Sequence, residues 1–196
     1  MIPSPLSSPS SATADARLAS NVGHGPSADV NPLITELKTR ARLRLKALTA
    51  AAAPKAPAAD EAAGRRGALR LRDALAQVSR ELGFAHWEHA RRVLGGQALP
   101  GEDFGAFWHA PRCNGLLSHW FASHADACEA LAAGVHRVLL PYRKQFVVVD
   151  EHYLRELGLS IDDPAWGELG RDLALGYGTS AWLALARQRL LASRVA

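Results

Sequence analysis

From Asn31 the chain settles into a helical rhythm. Leu33, Leu37, Leu43 and Leu48 recur at near-helical spacing behind a capping asparagine and Pro32, whose fixed φ suits a first helical position. The pattern predicts a helix running to about Ala52. A second helix, 69–81, places Leu71, Leu75, Val78 and Leu82 on one face and arginines on the other, and Gly83 offers the left-handed backbone that ends it. In a third, 85–94, Trp87, Ala90, Val93 and Leu94 return over Phe84 before Gly95-Gly96 stops the run. Between the first two, 50–67 carries Pro54, Pro57, Gly64 and Gly67 in an alanine-rich stretch and reads as a linker.

After residue 95 the pattern changes. An apolar run over 116–121 is followed by Ser123 and Asp126, spaced as a capping box for a helix ending near Gly134. Segments 135–140 and 146–149 are apolar and rich in valine, as strands are, with Pro141, Tyr142, Arg143, Lys144 and Gln145 joining them. Helices return in DEHYLRELG, then from Pro164 behind Asp162 and Asp163, and finally over 180–193. Gly176-Tyr177-Gly178 reads as a helix-ending turn, because no GK[ST] follows it as in a phosphate loop. The predicted class is therefore α+β, an N-terminal helical module followed by a small strand-helix-hairpin sheet covered by helices. Residues 1–30, rich in Ser, Pro, Ala and Gly without an apolar period, are expected to form a disordered tail. The organisation expected is thus tail 1–30, helical module 31–95 and α+β domain 96–196.

Charge sharpens this division. Residues 31–95 hold 13 Lys and Arg against 6 Asp and Glu, a formal +7, whereas 96–196 stand at −2 and the whole chain at +4. A basic module of this kind could neutralise phosphates, with Arg65, Arg66, Arg70 and Arg72 as its densest group. Arginines two residues apart, such as Arg40, Arg42 and Arg44, lie on different sides of a helix, so a solvated face is the plainer explanation for them. Arg187 and Arg189, in the last helix, lie outside the module, and replacing them is expected to do little to phosphate binding. No apolar run is long enough to cross a bilayer, and the first residues lack a basic region followed by an apolar stretch. A cytoplasmic protein with no membrane partner is expected, and two cysteines in 196 residues do not make a disulfide framework.

Residues 33–94, through the pattern LxxVxRELGFxxWxxxRRxL, resemble a short helical module of bacterial proteins found beside glyoxalase-like or ankyrin-repeat domains. The Leu82-Gly83-Phe84 corner followed by Trp87 is its specific part. The resemblance implies an accessory helical domain and carries no catalytic residues with it. The proline- and alanine-rich insertion between the first two helices departs from the pattern.

Candidate chemistry is sparse. His109, Cys113, His119, His124, Cys128 and His136 crowd one region, and imidazole with thiolate suits zinc. Yet there is no CxxC or HxxxH pair, and although His124 and Cys128 share a helical face, no metal and no cofactor is expected. His86 and His89 in HWEH lack the spacing of a metalloprotease helix and are expected to edge the core. No GxSxG elbow is present. The alternative is an enzyme or thiol-dependent sensor in which Arg112 lowers the pKa of Cys113 and His109 or His119 acts as base. The leading expectation is binding of a protein or nucleic acid. The basic helices would supply one surface, and Tyr142, Arg143, Lys144 and Gln145 at the hairpin tip another.

Overall fold

A computed structural model describes residues 31–52 and 70–193, seven helices and a three-stranded antiparallel sheet. Helix α1 is Pro32–Ala52, α2 Leu71–Glu81, α3 Trp87–Leu94, α4 His124–Ala132, α5 Glu151–Leu157, α6 Pro164–Glu168 and α7 Ser180–Ala192. The strands are β1 His119–Phe121, β2 Val138–Tyr142 and β3 Gln145–Val149. The α+β class follows directly. The expected tail, most of the expected linker, and Arg65 and Arg66 lie outside the described residues.

The helix caps explain the boundaries. Asn31 accepts from Leu33 N at 2.9 Å through Oδ1 and donates from Nδ2 to Leu94 O at 3.0 Å, so one buried side chain starts α1 and satisfies the end of α3. Asp150, Asp163 and Thr179 cap α5, α6 and α7 through their side chains. Ser123 precedes α4 without a side-chain bond, so the capping box expected there does not form. On α1 the buried face is Leu33, Ile34, Leu37 and Ala41, while Leu43 is 62% exposed. Ten residues from Leu33 is 1000°, which rotates Leu43 well off that stripe. Trp87, expected in the core, is only partly buried against it. Gly176-Tyr177-Gly178 lies in the turn-rich run ahead of α7, where the Tyr177 hydroxyl donates to Val93 O at 2.6 Å.

The hairpin is tighter than the residue types imply. Strands β2 and β3 pair from Val138↔Val149 to Tyr142↔Gln145, leaving Arg143 and Lys144 as a two-residue loop with Arg143 at φ 51. Pro141 is therefore inside a strand. It is tolerated because β2 lies at one side of the sheet, order β1-β3-β2, and the neighbouring positions of the same parity turn their backbone groups away from β3. Leu139 N donates to Arg171 O at 2.9 Å, and Arg143 N to Gly105 O at 2.7 Å.

The sheet is buried on both faces. Val138, Leu140, Val147 and Val149 join the main core, whereas Leu139 and Val148 pack with Ala127 of α4 and the partly buried Phe121 and Phe146. The main core is continuous from Leu33 of α1 to Leu190 of α7, so the helical module and the sheet share one apolar interior. Helix α1 packs on α2, α3 and α7, and Arg40 reaches from it to Leu190 O and Ser193 Oγ.

Candidate functional site

Two clusters gather the chemistry-bearing side chains. The first forms where the turn after Trp108 meets β1, the end of β2 and α5. His109 Nε2 donates to Asn114 Oδ1 at 2.8 Å, which leaves Nδ1 to accept from the Tyr153 hydroxyl at 2.6 Å. Both ring nitrogens are thus engaged in holding the loop. His109, Trp120 and Tyr142 pack edge to face, with centroids 6.0 Å, 5.4 Å and 4.9 Å apart. Rings this close leave no gap for a ligand between them, so their outer faces are what they offer. Trp120 remains 42% exposed, and the Arg143 guanidinium lies over Tyr142, 5.4 Å from the ring centre.

Cys113 does not join a reactive set. It is 2% exposed in the 3-10 turn Pro111–Cys113, and burial pushes its thiol pKa up. Arg112 is committed to Glu156, 3.3 Å from the carboxylate and also bonded to the backbone oxygen. A protonated, shielded thiol, a histidine with no free nitrogen and a paired arginine do not supply nucleophile, base and activator. Burial also raises the pKa of Tyr153, with Cys113 and Tyr142 adding to the effect, so the phenol stays protonated as His109's donor.

The structure brings Tyr142 beside His109 but turns Trp108 into the core, 2% exposed, and leaves Arg143, Lys144 and Gln145 exposed at the hairpin tip. In the helical module Arg70 and Arg72 are exposed at the start of α2, with Arg72 3.5 Å from Asp73. Arg40 pairs with Glu36 and Arg44 with Glu81, while Arg91 and Arg92 pair with Glu88 and Glu102. Arg189 is not a surface cation: it is 7% exposed and donates to Phe107 O and Leu157 O. His86 and His89 serve α3, since His86 Nδ1 accepts from His89 N and His89 bridges Ala85 N and Asp103 O.

The second cluster was half-visible in the spacing. His124 and Cys128 lie one turn apart on α4, and Asp172 arrives from the segment that bonds the outer side of β2. His124 Nε2 is 2.7 Å from Asp172 Oδ2; Cys128 Sγ is 3.6 Å from that nitrogen and 3.8 Å from that oxygen. Asp172 is 4% exposed, and its Oδ1 accepts from Ala174 N and Leu175 N at 2.9 Å each, which aims Oδ2 at the pair. Burial raises the Cys128 thiol pKa, and the charge of Asp172 and its hydrogen bond add to the rise.

The open side of the sheet is a third feature. Because Leu139 sends both backbone groups outward, to Arg171 and Leu173, its partner Val148 directs its own toward His119. Alternation then turns the N–H and C=O of Trp120 out of the free edge of β1. No residue pattern within β1 discloses this, because it depends on the strand order.

No family model, curated protein or solved structure matches the chain. Among the described residues no helix is long and apolar enough to cross a membrane.

Proposed function

We propose that this chain is a protein-binding module that takes an extended peptide as an added strand along β1. The observation that carries the reading is the outward-facing backbone of Trp120 on an edge whose opposite counterpart is closed. The outer side of β2 is occupied at Leu139 by Arg171 and Leu173, and Gly105 and Phe104 bond Arg143 just beyond its end, while β1 has no backbone partner on its free side among the described residues. Main-chain bonds would supply affinity in such a complex, and side-chain contacts selectivity. Exposed Trp120 and Leu117, at 42% and 76%, provide an aromatic and an aliphatic contact beside that edge. An edge of three residues limits the added strand to a short segment.

The test uses peptides selected from a random display library against the full chain. Trp120→Ala removes the ring and keeps the outward N–H, whereas Trp120→Pro removes both without breaking a bond to β3. Binding should weaken for the alanine variant and fall further for the proline variant, with circular dichroism unchanged. Equal binding by the two variants defeats the added-strand reading.

A second reading, nucleic-acid binding by the helical module, draws support from exposed Arg42, Arg70 and Arg72. The ion pairs of Arg40, Arg44, Arg91 and Arg92 reduce the charge left for phosphates, which is why the peptide reading leads. An accessory role fits the helical module that residues 33–94 resemble.

A further inference from the structure

We propose that His124, Cys128 and Asp172 form a binding site for a soft-to-borderline divalent cation, zinc being the best match to the donors. One imidazole nitrogen, one thiolate and one carboxylate oxygen form a mixed set of the kind zinc accepts, and all three donor atoms lie within 4.8 Å of one another. A tetrahedral ion with ordinary zinc bond lengths places S–N and S–O pairs ~3.6 Å apart and an N–O pair ~3.3 Å apart. The sulfur distances here, 3.6 Å and 3.8 Å, fall in that range, but Sγ is also 3.7 Å from His124 Nδ1, so the imidazole must turn to point its Nε2 lone pair at an ion shared with the sulfur. The nitrogen–oxygen separation, 2.7 Å, is that of a hydrogen bond and must open by about 0.6 Å when an ion replaces the proton. His124 can supply that movement, because its side chain is 38% exposed, while Asp172 is fixed by its two amide bonds.

A hydrogen-bonded His–Asp pair by itself would explain two of the three residues. It does not explain a sulfur held against both. A divalent cation accounts for all three, because it takes one donor from each and offsets the burial of the Asp172 charge. On binding, the thiol proton leaves to solvent and the His124 Nε2 proton gives way to the metal, with Nδ1 carrying the ring proton. Three protein donors leave a fourth position on the solvent side of His124. The Phe146 ring, edge to face with His124 at 5.2 Å, orients the imidazole. Such an ion would tie α4, whose Ser123 makes no side-chain cap, to the segment that closes the edge of β2.

The full chain, stripped with chelator, is titrated with cobalt(II) as the spectroscopic probe and then with zinc. Expected are one ion per chain, a thiolate-to-cobalt charge-transfer band in the near ultraviolet that zinc abolishes, and a melting temperature that rises with zinc. Cys128→Ser should remove the band, Cys113→Ser should keep it, and Asp172→Asn should weaken binding at least about tenfold. The asparagine keeps the Oδ1 acceptor for Ala174 and Leu175, so its circular dichroism should match the parent. A band absent at stoichiometric cobalt, a band that survives Cys128→Ser, or one lost with Cys113→Ser overturns the proposal.

Discussion

Gly83→Ala probes the corner on which the helical module turns. Gly83 has φ +88, and a Cβ there would lie 2.7 Å from Ala106 C and 2.8 Å from Ala106 O. An L-residue in this conformation costs about 1–2 kcal/mol. The clash adds to it, because the obstructing atoms are backbone and the Ala106 amide is itself bonded to Gly83 O at 2.8 Å. Moving that strand of chain weakens the bond, worth about 0.5–1.5 kcal/mol, and disturbs Phe107, which is 1% exposed and stacks on Phe84. The expected total is a loss of about 2–4 kcal/mol. Gly101→Ala provides the comparison, since Gly101 has φ +84 but nothing within 4 Å of the added carbon. It should cost only the backbone share, about 1–2 kcal/mol. Urea unfolding followed by circular dichroism and tryptophan fluorescence measures both. Equal losses for the two variants, or a loss below about 1 kcal/mol for Gly83→Ala, would refute the packing argument.

Arg189→Met should cost about 2–4 kcal/mol in the same assay, because it leaves the buried carbonyls of Phe107 and Leu157 without a donor; Arg187→Met, at an exposed position, should stay within about 0.5 kcal/mol. Tyr177, pushed up to about 12 by burial, keeps in the folded chain a proton the unfolded chain releases, so its share of the stability lost between pH 10 and pH 12 should be about 2 kcal/mol, with the raised Tyr153 adding its own; calorimetry should find the loss smaller by that share for Tyr177→Phe. Thr179→Ala should destabilise by about 1 kcal/mol through the lost cap to Trp182 N, measured by thermal unfolding. If the helical module binds nucleic acid, fluorescence anisotropy should show affinity falling steeply with salt, and joint neutralisation of Arg65, Arg66, Arg70 and Arg72 should flatten that slope; no binding even at low salt ends that reading.

Much of the fold was legible because it is written locally. Asn31-Pro32, Asp150, Asp163-Pro164 and Thr179 mark helix starts with side chains that satisfy nearby amides, and Gly83 marks a stop by its conformation. The hairpin strands were legible from their valines, but their ends were not, because Pro141 reads as a breaker until β2 is known to be a side strand. The burial of Arg189 was not legible because it depends on where α7 meets Phe107 and α5, contacts 82 and 32 residues away in sequence. The third member of the second cluster was illegible for the same reason: His124 and Cys128 share a visible helical spacing, but Asp172 joins them from 44 residues beyond Cys128, across a bridge to Leu139. Strand order decides which backbone faces outward, so the free edge at Trp120 was beyond any residue pattern.

Amide hydrogen exchange at Trp120, with and without a saturating library-selected peptide, tests the peptide-binding account most directly. The account predicts that this N–H exchanges readily in the free chain and becomes protected in the complex, together with alternate amides of the peptide. A complex in which the Trp120 amide exchanges unchanged while another surface gains protection would contradict it.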